Sequence, residues 1–354
     1  MVPTTKEVEM KVIIGIDPHK ASHTAVAIGR DEDQISAVKV RATIRQVDQL
    51  LTWAEPFEKR TWAIESVGGM GYLLAQQLVA QGEEVLDVPA TLASRIRVLA
   101  TGRSNKNDPN DAHSIAIAAL RAPMLRSVQP ADHGEVLRLL SKRNSDLGRQ
   151  RSRVICRLHS LFAELSPGGI AKEMYVSDAE ELLAKVRPDS PAQQMRFELV
   201  LELLDDVRRL DDQIKASHRR IRLAVRASGS SITELYGVGP IHAAQIIGYS
   251  GDVLRFANRD AYASYNGTAP VERSSGGRIV HRLSRRGNRK VNHALHMAAV
   301  TQIRNPGTPG RIYFERKVSE GKTKKEALRS LKRHVSNAVY RQLMVDAERG
   351  PGGH

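Results

Sequence analysis

A single cysteine, Cys156, occurs in 354 residues. That excludes an intramolecular disulfide and any multi-cysteine zinc site, and a reducing, cytoplasmic setting is expected. Aromatic residues make up only 4% of the chain, too few for the base-stacking platforms of single-strand binders to dominate. No apolar run reaches the roughly 20 residues of a membrane span, and the first residues lack the apolar core of a secretory leader, so no membrane partner is expected. Acidic residues are scarce where basic ones collect. From Arg255 onward there are 21 Lys and Arg against 7 Asp and Glu, whereas the first 254 residues carry 33 against 32. The net charge of +15 therefore sits almost wholly in the last hundred residues. Such a localised basic field favours a polyanion, nucleic acid before others; a surface kept basic for solubility is the plainer alternative.

What is present falls into three segments. The first, 11–125, reads as α/β. Lys11–Asp17 is a short run rich in β-branched residues, expected as a buried strand ending on a carboxylate. Strands over 24–29 and 35–40 follow around a polar turn, and such a meander is the opening pattern of RNase H-like domains. A helix over 45–56, a buried strand Thr61–Glu65 ending on a second carboxylate, a helix over 71–81 after a glycine-rich turn, a strand over 85–88 and a helix to about 100 continue the alternation.

The second segment, 130–228, reads as helical. An arginine-rich helix covers 133–165 and offers a surface to RNA or DNA. A break at Ser166–Gly169, a short helical stretch and a long helix over 193–228 follow. In the long helix Val200, Leu203, Val207, Leu210, Ile214, Ser217, Ile221 and Ala224 step by alternating threes and fours. This heptad seam fits a coiled-coil hairpin, an oligomer contact, or a lone helix in a bundle. The third segment, 229–345, is mainly α. Leu235-Tyr236-Gly237-Val238-Gly239 before a small-residue helix fits a helix-hairpin-helix, in which Gly237 and Gly239 let backbone N–H groups approach a phosphate; a plain helical turn is the alternative. Helices are expected over 256–265, 289–303 and 324–347. Residues 266–278 read as loop, its second half polar and flexible, and residues 1–10 and 350–354 as frayed ends. Between Arg273 and Lys290 stand Arg273, Arg278, Arg282, Arg285, Arg286, Arg289 and Lys290 with no acid among them, a stretch suited to holding DNA.

Two groups of residues can do chemistry. Asp108 and Asp111, three positions apart, share one face of a helix start. Capping explains them locally: Asp108 suits the N-cap, Pro109 the first turn, and Asp111 the positive end of the dipole. Together with the strand-end acids Asp17 and Glu65 they can instead form an all-oxygen site for Mg²⁺, with Mn²⁺ a possible substitute. Two such ions about 4 Å apart stabilise the attacking and leaving oxygens of phosphodiester cleavage. The second group is Ser274 and Ser275, beside Gly276-Gly277 and a run of arginines. A serine there can be a covalent nucleophile, or simply part of a flexible Ser-Gly loop.

These motifs, in this order, resemble the IS110 family of transposases: Gly15-Ile16-Asp17-Pro18-His19-Lys20, Ile64-Glu65-Ser66, Lys106 to Ala112, Leu235 to Pro240, Ser274 to Gly277, and Arg286-Gly287-Asn288-Arg289. The resemblance spans about 11–345. It implies a RuvC-like DEDD domain over 11–125, a coiled-coil segment over 130–228 and a transposase domain over 229–345. The family's acidic tetrad falls on Asp17, Glu65, Asp108 and Asp111. Its catalytic serine, within a Ser-Gly motif, falls on Ser275, with Ser274 as the alternative. Implied too are double-stranded DNA as substrate, at element ends and target, a structured non-coding guide RNA as partner, a dimer or tetramer, and a bacterial, nucleoid-associated setting. A junction-resolving nuclease that uses Mg²⁺ and water is the competing function.

Overall fold

In the computed structural model the chain is described over residues 11–101, 108–122, 125–170, 174–275, 278–283 and 287–349. The ends expected to fray lie outside those residues. Two compact units divide it, 1–132 and 133–354.

The first unit is built on strand β1, Val12–Pro18, every residue of which is buried. Its sequence runs apolar without alternating because both faces of a central strand are covered. β1 pairs antiparallel with β2, Ser22–Ile28, which pairs antiparallel with β3, Gln34–Arg41. On its other side β1 pairs parallel with β4, Arg60–Glu65, which pairs parallel with β5, Val85–Val88. A two-residue β6, Arg126–Ser127, closes the order β3-β2-β1-β4-β5-β6. An antiparallel meander continued by parallel strands is the RNase H-like arrangement expected from the sequence. Helices α1, Gln46–Ala54, and α2, Tyr72–Ala80, supply one face of the sheet; α3, Ala90–Thr101, and α4, Asp108–Arg121, supply the other.

Strand periodicity sorts the side chains between these faces. Val12, Ile14 and Ile16 join Trp62 and Ile64 against Val47, Leu50, Leu74 and Leu78. Ile13 and Ala63 turn the other way, toward Ala112, Ile115 and Ala116 of α4. With a side-chain period of two, Asp17 and Glu65 belong to the α4 face. The register pairs Ile16 with Ile64, so the two acids stand side by side at the C-terminal ends of adjacent parallel strands. Gly15 lets α4 come close: a Cβ there would lie 2.6 Å from the backbone nitrogen of Ala116 and would meet the carbonyl oxygen of Ala112.

The second unit is helical. α5, His133–Leu165, and α7, Pro191–Ala227, run antiparallel, tied by Arg196 to Glu164, Arg151 to Asp211 and His133 to the Ala224 carbonyl. The short α6, Val176–Leu183, lies between them in sequence. The seam of α7 is covered by α5 within the chain, through Val200, Leu204, Val207, Leu210, Ser217, Ile221 and Val225. Leu204 and Val225 are the fully buried members where the heptad count gives Leu203 and Ala224, a slip of one residue. Ser190 caps α7, accepting from Gln193 N with Pro191 in the first turn, so the helix starts two residues earlier than expected.

A 3-10 turn, Ser231–Glu234, leads to α8, Pro240–Ser250, and then to α9, Arg259–Tyr265. α9 is shorter than expected because the Asn258 side chain accepts from both Asp260 N and Ala261 N and so fixes its start. The segment read as a polar loop is a hairpin of β7, Pro270–Ser275, and β8, Arg278–Leu283. The polar composition hides it, but Gly276-Gly277 between paired residues is a two-residue hairpin signal. α10, Arg289–Arg304, α11, Pro309–Ser319, and α12, Lys324–Arg349, complete the unit. α11 has no counterpart in the sequence reading; Thr308, accepting from Arg311 N, and Pro309 announce its start. Leu137 of α5 and Ile221 and Val225 of α7 share one core with α8, α10 and α12, so the boundary expected near 228 falls inside packed structure.

Burial holds the imidazoles of His242, His296, His334 and His218 below the ordinary value of 6.5, with His293 beside His242 and Lys332 beside His296 adding to it. The folded unit therefore binds fewer protons than the unfolded chain once pH falls through about 6.5, and stability declines there until the folded imidazoles also protonate. Thermal melts between about pH 7.5 and 5.5 are expected to show a fall of a few degrees. A melting temperature that rises on acidification contradicts this.

Candidate nuclease and nucleic-acid sites

In the first unit, Asp17, Glu65 and Asp111 line one pocket of about 220 Å³, together with Pro18, His19, Ser66, Met70 and Arg97. Three elements supply the acids: the ends of β1 and β4 and the first turn of α4. The β4 end is held in a sharp turn. Ser66 adopts φ 57°, its carbonyl accepts from Gly69 N at 2.8 Å, and Gly71 tucks against Ile64 and Pro18, where a Cβ would lie 2.7 Å from the Ile64 side chain. A non-glycine residue in the left-handed region directly after a pocket acid is stored strain of the kind found at functional sites.

Asp17 and Asp111 are both buried. Each lies near a basic side chain: His19 Nε2 is 3.3 Å from Asp17 Oδ2, and Arg97 Nε is 2.8 Å from Asp111 Oδ1. The Arg97 contact is an ion pair whose N–H points off the line to the oxygen, since the distance suits a hydrogen bond and the direction does not. α4 begins at Asp108 itself, so Asp108 is the first helical residue and not the residue before it; its side chain lies outside what is described. Asp87, on the next strand, faces elsewhere, and burial pushes its carboxyl up. The donor set suits a hard divalent cation, being all carboxylate with no cysteine. Among the described residues, however, no three acids or histidines stand close enough to form a ready-made metal cage. The sequence reading missed Arg97, because nothing in the order of residues says which arginine of α3 reaches α4.

The nucleic-acid candidates lie in the second unit. Ser274 and Ser275 end β7, where they pair with Ile279 and Arg278 of β8; Arg273 pairs with Val280 and Arg282 with Val271. Their side chains, and Arg285 and Arg286 altogether, lie outside what is described. Arg289 and Lys290 open α10. Asn288 caps that helix, accepting from Lys290 N at 3.0 Å and Val291 N at 3.2 Å, and donates to the Tyr265 hydroxyl. Lys332 of α12 donates to Asn292 Oδ1 at 2.9 Å, and burial with the nearby Arg289 charge holds its ammonium below the usual lysine range. Gly237 has φ 87°, and a Cβ there would lie 3.2 Å from Ala298 Cα, so a turn packed on α10 accounts for it without any phosphate. Gly239 leads into α8 and has open space around it.

An RNase H-like sheet with three acids lining one pocket, followed in the chain by a basic helical unit, points to the class of DNA-processing recombinases and nucleases. Comparison with known proteins narrows it. A model of DEDD-type IS110 transposases, described as "Transposase", matches residues 14–167, and one described as "Transposase IS116/IS110/IS902 family" matches residues 229–313. The chain belongs to the IS110 family of transposases. It is 29% identical to the insertion element IS116 44.8 kDa protein of Streptomyces clavuligerus, over 94% of each chain. Identity is 27% to the insertion element IS900 42 kDa protein of Mycobacterium paratuberculosis, over 93% of this chain and 94% of that one. A probable family 20 transposase of Pseudomonas aeruginosa is 25% identical over 82% of this chain and 84% of its own. Among solved structures, Thermus thermophilus RuvC in complex with a Holliday junction substrate aligns to 33% of this chain and 99% of its own, at 13% identity and a TM-score of 0.28. No helix among the described residues is long and apolar enough to cross a membrane.

Proposed function

We propose that this transposase of an insertion sequence cuts and rejoins DNA through a covalent serine intermediate, with Ser275 the nucleophile. Asp17, Glu65, Asp108 and Asp111 would form a Mg²⁺ site that assists the same reaction. The observation that carries the reading is the convergence of Asp17, Glu65 and Asp111, from three separate elements, on one pocket. Mg²⁺ held there would offset the charge of the phosphate and its leaving oxygen. The Ser275 oxygen bonds to phosphorus, the P–O bond to the leaving strand breaks, and that strand departs as an alcohol that later reverses the step on a new partner. Trapping the serine–DNA ester on denaturing gels tests the assignment.

The basic residues Arg273, Arg278, Arg282, Arg285, Arg286, Arg289 and Lys290 would grip double-stranded DNA. Binding is expected to fall by about 10³-fold between about 50 and 200 mM salt, as condensed counterions are released. Filter binding with a flat salt response removes this interface. A structured guide RNA from the element's own flank would select target and donor, with the arginines of α5 as one surface for it. Exchange of strands requires several active sites, hence a dimer or tetramer.

A further inference from the structure

The pocket that gathers the acids also holds a cation belonging to the chain. Arg97 and Asp111 form an ion pair in which the guanidinium side chain is 18% exposed and the carboxylate 7%. Asp111 Oδ1 thus already faces a cation of the chain itself. A guanidinium and a divalent cation a few ångströms apart repel strongly in so screened a place. The pocket is large enough for a hydrated cation, yet its described acids are not drawn into a cage. Arg97 thus stands where metal binding must displace it. A guanidinium fork fits phosphate oxygens as well as carboxylate ones.

Resting on the reading of these acids as a metal site, we propose that Arg97 is an internal counter-cation which passes from Asp111 to a backbone phosphate when nucleic acid enters the pocket. Its departure frees Asp111 for metal. Metal and nucleic acid then bind cooperatively, and the cutting site stays incomplete until a phosphate is in place. Coupling of this kind is reciprocal: whatever factor DNA adds to metal affinity, metal adds to DNA affinity.

The test is Mn²⁺ titration of the full-length protein, followed by electron paramagnetic resonance, with and without duplex DNA of the element end. Wild type is expected to bind Mn²⁺ about tenfold more tightly when the duplex is present, within the usual range of such couplings. Arg97→Gln is expected to bind Mn²⁺ about tenfold more tightly than wild type without DNA, and to gain little more when DNA is added. Arg97→Lys, which keeps the charge, stays near wild type. If Arg97→Gln binds no more tightly than wild type while Asp111→Asn loses the ion, the counter-cation role is overturned and the metal site stands. If wild type and Arg97→Gln both fail to bind Mn²⁺ under either condition, the metal site itself fails and the proposal with it. Should Arg97→Gln not fold, wild type alone decides, since an Mn²⁺ affinity indifferent to DNA overturns the coupling.

Discussion

Ser275→Ala is expected to abolish the covalent protein–DNA adduct and to lower recombination by about 10³-fold or more, the scale of losing a nucleophile. Ser274→Ala is expected to keep the adduct. The contrast follows from the sequence: Ser275 is the serine directly before Gly276, where the Ser-Gly motif that the chain resembles places the nucleophile. Recombination assays with both variants, alongside denaturing gels of end-labelled DNA, separate the cases. Full recombination by Ser275→Ala, with no adduct from wild type, hands the reaction to water, as in a metal-dependent junction-resolving nuclease.

Gly15→Val is expected to cost about 3 kcal/mol of stability or more, the upper range for overpacking a close contact. The residue lies on a fully buried strand, and added side-chain atoms would run into the backbone of α4 at Ala112 and Ala116. No side-chain rotation relieves a clash with helix backbone, so either α4 moves out or the sheet bends. Both outcomes separate Asp111 from Asp17, which follows Gly15 by two positions on the same face. A thermal melt and the Mn²⁺ titration should therefore fail together in this variant. A protein that melts as wild type does shows that α4 does not lie as close to β1 as described.

The N-terminal sheet was legible because its strands are short apolar runs bounded by turns, and the acids at the ends of two of them marked the pocket rim in advance. The long helices were legible from their periodicity, although the Ser190-Pro191 cap starts α7 two residues before the period alone suggests. The hairpin of β7 and β8 was not, since serine, arginine and glycine dominate it and only the paired register reveals a strand. α11 escaped because eleven residues with a weak apolar face give little period to read, although Thr308-Pro309 marks its start. Within the site, strand ends could be read one at a time, whereas Arg97 meeting Asp111 is a consequence of α3 packing on α4 and has no local signature. Gly237 reads as a motif glycine that lets backbone N–H groups approach a phosphate, and Gly287 as the start of a helix. Gly237 turns out to close on the backbone of α10, and Gly287 packs against Gly267, where its Cβ would sit 2.5 Å from Gly267 Cα.

The antiparallel pair α5 and α7 belongs to two separate apolar clusters. At one end Leu137, Ile221 and Val225 are part of the core shared with α8, α10 and α12. Farther along, Leu147, Val154, Leu158 and Phe162 meet Val200, Leu204, Val207 and Leu210, with Ala179 and Leu183 of α6 closing over them. At 1.5 Å per residue α7 alone extends about 55 Å. A rod anchored in one cluster and zipped by another is a pair of cooperative blocks joined by continuous helix. The outer block can unzip and re-form while the anchored block stays folded. The α5–α7 pair can thus act as a hinged arm whose far end yields under load without loosening the core it shares with α8, α10 and α12.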